Sequence, residues 1–138
     1  MKNIPVIIVA FMLMILNGCL KDTSTKKDAN LESVDAKAAY QIIQNNLNNP
    51  DFIIVDVRTP EEYSEGHINN SININYTSDK FGDQVKSLNR NKEYIIYCRS
   101  GRRSAEALKV FKDLGFKKIY NIKEGIVSWT SSGLPVSK

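Results

Sequence analysis

The junction Tyr94-Ile95-Ile96-Tyr97-Cys98-Arg99-Ser100-Gly101-Arg102-Arg103-Ser104 constrains this chain more than any other stretch. The apolar and aromatic run from Tyr94 to Tyr97 has no polar face, the pattern of a strand buried on both sides of a parallel sheet. Beyond Ser104, Ala105, Leu108, Phe111 and Leu114 follow helical spacing. Strands joined through helices imply an α/β fold, and Cys98 falls where strand gives way to helix. In open α/β sheets, ligands bind at that end of the strands, against helix N-termini whose free N–H groups attract anions.

A thiol at such a place is expected to ionise. Arg99, Arg102 and Arg103 bring fixed positive charge, and the helix start adds its dipole. A free thiol has a pKa of about 8.5, so a fall of ~2 units, about 2.7 kcal/mol, makes the anion dominant at neutral pH. Burial alone would account for a structural cysteine but not for the guanidinium groups beside it. Cys98 therefore reads as a nucleophile.

The rest of the domain alternates strands and helices. Asp35 caps a helix running to about Asn46, with Ala39, Ile42, Ile43 and Leu47 on one face. Phe52 to Val57 is a second buried strand in which Asp56 is out of place. That acid either ends the strand as a solvated or capping residue or holds cationic loop groups. Thr59-Pro60-Glu61-Glu62 opens a short helix through a cap, a first-turn proline and a capping box, and Gly66 ends it. Ile72 and Ile74 alternate as a short half-exposed strand, and Asp79 to about Leu88 is a short helix. Lys117 to Ile122 gives the last strand, and a final helix from about Lys123 carries Trp129 as a core anchor. His67, alone after a glycine at a helix exit, reads as a hydrogen-bonded structural residue and not as a general base.

The segment Cys98 to Ser104 resembles the active-site loop of rhodaneses, sulfurtransferases that carry sulfur as a cysteine persulfide. The string Asp56, Arg58, Glu62, Tyr63, Gly66, His67, Ile68, Ile72 and Ile74 resembles a second signature of that family. Gly125, Trp129, Gly133 and Pro135 resemble its C-terminal pattern, while Asn70-Ser71 and Glu124 depart from it. The resemblance implies a single rhodanese-like domain over residues 31–138, an open parallel sheet flanked by helices. It implies a sulfane sulfur carried on Cys98, from thiosulfate or a related persulfide donor to a thiol or cyanide. The substrate anion would be held by Arg99, Ser100, Gly101, Arg102 and Arg103, with Arg103 also closing the loop, and Asp56 and Arg58 would brace it. No cofactor or metal is called for. Phosphatases of the same architecture use a loop one residue longer closed by an arginine. Here that position is Ser104. Alternatives from other classes are a non-enzymatic partner-binding module and, less favoured, a phosphatase or arsenate reductase.

Upstream, the apolar run from Ile4 to Leu16 is shorter than the ~20 residues a membrane span needs and suits a signal peptide over residues 1–18. Leu16-Asn17-Gly18-Cys19 resembles a bacterial lipobox, which implies lipidation at Cys19, attachment to a membrane, export to the cell envelope and a periplasm-facing domain. Leu20, where some lipoproteins carry an acidic retention signal, leans towards the outer membrane. Polar residues 19–30 then form a flexible tether. The chain has two cysteines, so lipidation leaves Cys98 as the only thiol and excludes a structural disulfide within the chain. With one histidine, a Cys/His metal site lacks ligands. The net charge of +4 is scattered outside the Cys98 loop, and aromatic and basic residues do not interleave as a nucleic-acid platform requires. The oligomeric state has no signature in the sequence.

Overall fold

The structure, a computed structural model, describes residues 29–138. The expected signal peptide, the lipidation site Cys19 and most of the tether lie outside the described residues. The elements alternate as β1 (Asn30–Val34), α1 (Ala36–Asn45), β2 (Phe52–Asp56), α2 (Pro60–Glu65), β3 (Ser71–Asn73), α3 (Phe81–Lys86), β4 (Glu93–Tyr97), α4 (Arg102–Asp113), β5 (Lys118–Ile122) and α5 (Gly125–Ser131). All five strands are parallel, in the order β1-β5-β4-β2-β3. The fold is the expected α/β sheet flanked by helices.

Strand β4 is central, and its side chains feed two cores. Ile95 and Tyr97 pack with Ala39, Ile43, Ile126 and Trp129 on the α1 and α5 face. Tyr94, Ile96 and Cys98 pack with Val85, Ala107, Phe111 and Phe116 on the α3 and α4 face. Strand residues alternate between faces, so one apolar run serves both layers. Each fully buried aliphatic side chain contributes about 1.5–3 kcal/mol, and β4 is the seam where those contributions meet. Trp129 is an anchor as expected: it is buried, its indole N–H donates to the Pro135 carbonyl at 2.8 Å, and Tyr40 meets it edge-on.

Side-chain caps fix the entry to α1 and α2. The Asp35 carboxylate accepts from the Ala38 N–H at 2.8 Å at the start of α1. At α2 the Thr59 hydroxyl accepts from the Glu62 N–H, and the Glu62 carboxylate accepts from the Thr59 N–H. The structure adds β1, an element not expected from the residue pattern. Only Val34 of its five residues is buried, and an edge strand of polar residues has no periodicity to read. Helix α3 is shorter than the expected Asp79 to Leu88, and α4 begins at Arg102, ahead of the apolar stripe that announced it. Ile72 and Ile74, expected on one face of a half-exposed strand, part company: Ile72 is exposed and Ile74 is buried. Past β3 the chain turns inward, with the Ile74 N–H donating to the Asp56 carbonyl at 2.9 Å.

Candidate active site

Cys98 directly follows β4, packs on the α4 side and is almost fully buried. The chain then folds back over the sulfur. Gly101, at φ +96°, brings its N–H to 3.1 Å from Cys98 Sγ and caps α4. That left-handed conformation favours glycine. A β-carbon there would also collide with the Lys123 carbonyl, so the loop lies directly on the β5–α5 turn.

The turn supports the loop from the other side. At α5 the N–H groups of Ile126 and Val127 donate to the carbonyls of Cys98 and Arg99, at 2.9 and 3.1 Å. With those carbonyls held outward by the helix start, the loop's own N–H groups turn inward. Burial pushes the Cys98 thiol up, but the Ser104 hydroxyl and the N–H groups of Ser104, Gly101 and Ser100 outweigh it and leave the pKa lowered. Such a converging set of donors is an anion nest.

The structure sharpens the expected picture in two respects. Arginine charge and the helix start were both expected to ionise Cys98, and the leading donors are the Ser104 hydroxyl and backbone N–H groups at the helix start, while Arg103 couples to the thiolate through charge. Arg99 and Arg102 are exposed. Ser104, not counted among the expected site residues, is fully buried at the head of α4, and its one hydroxyl proton has two acceptors to choose between, the Gly101 carbonyl at 3.2 Å and the Cys98 thiolate. Its signal was available in its place as the first polar residue on the inward face of α4.

Arg103 reaches away from the loop. Its Nη1 and Nη2 donate to the two carboxylate oxygens of Glu62, each at 2.7 Å, in a half-buried bidentate pair joining α4 to α2. Glu62 thus serves Thr59 and Arg103 together. Hydrogen bonding from Arg103 lowers the Glu62 pKa to about 2. The same pairing raises Arg103, and the Cys98 thiolate adds to that rise through its charge.

Asp56 is fully buried and takes the second of the two roles open to it. Its carboxylate accepts from Arg58 Nε at 3.0 Å and Nη2 at 2.7 Å, and from the Arg58 N–H at 2.9 Å. Arg58 Nη2 also donates to the Gly66 carbonyl at 2.7 Å, and its guanidinium lies 5.8 Å from the centre of the Tyr97 ring. Burial opposes the Arg58 charge, yet hydrogen bonding to Asp56 and the charge of that carboxylate raise its pKa. The pair stiffens the carboxyl end of β2 and the α2 exit beside the residue preceding Cys98. His67 stacks on Tyr63 at 3.8 Å with its Nδ1 2.9 Å from the Tyr63 carbonyl, a hydrogen-bonded residue at the α2 exit.

The site defines an α/β protein with a cradled, ionisable thiol at the carboxyl edge of a parallel sheet. The rhodanese-like domain family model matches residues 39–132, and the chain belongs to that family. A sulfurtransferase of Allochromatium vinosum is 30% identical over 86 residues, covering 62% of this chain and 78% of that protein. The tRNA uridine(34) hydroxylase of Photorhabdus laumondii is 34% identical over 100 residues, 65% of this chain but 28% of that enzyme. Among solved structures, a rhodanese-related protein from Thermoplasma volcanium superposes with a TM-score of 0.66 at 35% identity, over 77% of this chain and 97% of that one. A rhodanese-like domain protein from Staphylococcus aureus gives 0.61 at 30% identity, over 78% and 99%.

Proposed function

We propose that the protein is a sulfurtransferase in which Cys98 carries sulfane sulfur as a persulfide. The observation that carries this reading is the Gly101 N–H at 3.1 Å from the buried Cys98 Sγ at the head of α4, with the neighbouring N–H groups of Ser100 and Ser104 also favouring the thiolate. The thiolate attacks the outer sulfur of thiosulfate or a related donor. For thiosulfate, the sulfur–sulfur bond breaks, sulfite leaves with its electron pair, and Cys98 keeps the outer sulfur. A thiol or cyanide then attacks that sulfur and Cys98 departs as thiolate. Two displacements replace one difficult transfer. Donors fixed around the sulfur stabilise the anion at each stage without reorganisation.

Arg99 and Arg102 are the guanidinium groups open to a donor's oxyanion, since Arg103 is engaged by Glu62. The loop ends at Arg103, and Ser104 stands where a longer phosphatase loop would close, so an aryl phosphate is not an expected substrate. Thiocyanate formation from thiosulfate and cyanide tests the reading, beside a Cys98→Ala variant. Intact mass after thiosulfate alone should rise by about 32 Da, one sulfur. No adduct and no turnover would overturn the thiosulfate assignment.

For the chain's location we propose the cell envelope, lipid-attached through Cys19. The support is the apolar run from Ile4 to Leu16 followed by the lipobox-like Leu16-Asn17-Gly18-Cys19. Fatty-acid labelling of the protein in bacteria, lost on Cys19→Ala, is the expected result.

A further inference from the structure

Beside the Cys98 loop lies a concavity of about 390 Å³, lined by Tyr76, Arg102, Arg103 and Glu106. Backbone bonds tie its wall to the thiol's strand. The Tyr76 N–H donates to the Val57 carbonyl at 3.0 Å, and the Val57 N–H donates to the carbonyl of Tyr97, the residue before Cys98, at 2.9 Å. The Tyr76 ring is seated edge-on against Phe81, with centroids 5.2 Å apart. It is a half-buried, fixed aromatic wall and not a loose surface residue.

The charges around this concavity are unequally engaged. Arg103 is bound by Glu62, and Glu106 is bound by Lys109 at 2.9 Å. Arg102 is exposed and makes no ion pair among the described residues. The concavity therefore combines an aromatic wall, a guanidinium with its donors open and, at Arg102 and Arg103, the two residues by which the Cys98 loop enters α4. Guanidinium donors in a fixed fork match a carboxylate, and an aromatic face takes a short aliphatic stem.

We propose that this concavity is the acceptor subsite and that it selects a small thiol bearing a carboxylate, the carboxylate on Arg102 and the carbon stem against Tyr76. The proposal rests on the persulfide reading of Cys98. In the step it serves, the acceptor thiolate attacks the outer sulfur of the Cys98 persulfide. A bond forms between acceptor sulfur and outer sulfur, and the bond between outer sulfur and Sγ breaks. The electron pair returns to Sγ as thiolate, so the acceptor leaves as a persulfide and no outside oxidant or reductant is needed.

The test isolates the second half-reaction. Detergent-solubilised full chain is loaded with thiosulfate and desalted, and loss of the added sulfur is followed by intact mass under sub-saturating mercaptosuccinate or 2-mercaptoethanol. The wild type should discharge to the anionic thiol with a preference that falls about ten-fold in Arg102→Gln, since a charge-assisted contact is lost. Glu106→Gln removes an acidic wall and should raise the same preference roughly two-fold. Tyr76→Leu should weaken it. Intrinsic thiol reactivity cancels when each variant is compared with wild type by the ratio of the two acceptors. An unchanged ratio in Arg102→Gln, or equal slowing of both acceptors, would overturn the subsite while leaving the persulfide intact. Failure of Cys98 in the wild type to gain sulfur at the loading step would instead sink the reading beneath it.

Discussion

A β-carbon on Gly125 would overlap the carbonyl oxygen of Cys98. Gly125 sits at φ +58°, and its missing side chain is the space into which the backbone of Cys98 and Arg99 passes. The obstruction is backbone on both sides, so no rotamer change can relieve it. Gly125→Ala should displace the loop as a unit. The left-handed conformation alone costs on the order of 1–3 kcal/mol for a non-glycine residue, before any overlap. Denaturant unfolding should register that loss, and thiosulfate loading of Cys98 should fall with it. A variant of wild-type stability that loads normally would show that the loop does not depend on this contact.

Ser104→Ala should shift the Cys98 titration upward, because the hydroxyl is one of the donors that lower it. The ultraviolet absorbance of the thiolate, referenced to Cys98→Ser, measures that shift directly. The sign of the coupling to folding follows from a lowered folded pKa. Stability from the ionised thiol is fully present above the unfolded value of about 8.5 and is lost as pH falls through the folded one. Wild type should therefore lose stability relative to Cys98→Ser on acidification across that window.

Glu62 belongs to a lower window. Its folded pKa is lowered to about 2 by Arg103 first among its partners. Its contribution is present above the unfolded carboxylate value of about 4.3 and disappears as pH drops towards about 2. Glu62→Gln should remove that dependence, visible as a flatter acid limb in thermal unfolding. It should also free the Arg103 fork.

Asp56→Ala should be among the most damaging single changes, at about 3–5 kcal/mol, since it leaves the Arg58 guanidinium buried without its counter-charge. Replacing both members with apolar residues, as in Asp56→Leu with Arg58→Met, should recover much of the loss in chemical unfolding. A single variant as stable as wild type would show that Arg58 finds another partner or escapes to water.

The thiol's position was legible because Tyr94 to Tyr97 is apolar without interruption and the period changes just after it. Periodicity says which residues are inside, and so it found β2, β4, β5 and the stripe of α4. It had nothing to read in β1, whose five residues meet one neighbour and expose most of their side chains. The second partner of Glu62 was illegible for a different reason. A capping box is a local pattern, while the bond to Arg103 spans distant segments that only the fold brings together. Ionisation of Cys98 was expected from the arginines and from the helix start together, and the N–H groups of Ser100, Gly101 and Ser104 stand among the leading causes of the lowered pKa. What the sequence hid was the share of the Ser104 hydroxyl, a side chain with no charge to draw notice.

The reliance of the Cys98 loop on the first turn of α5 makes the reactive unit discontinuous in the chain. Moving Cys98 through Ser104 to another strand–helix junction would transplant the residues without the donors from Ile126 and Val127 that hold the Cys98 and Arg99 carbonyls outward. The smallest portable module is that loop together with the β5–α5 turn, glycine included. An engineer grafting this chemistry into a new scaffold would have to carry both pieces at their native spacing.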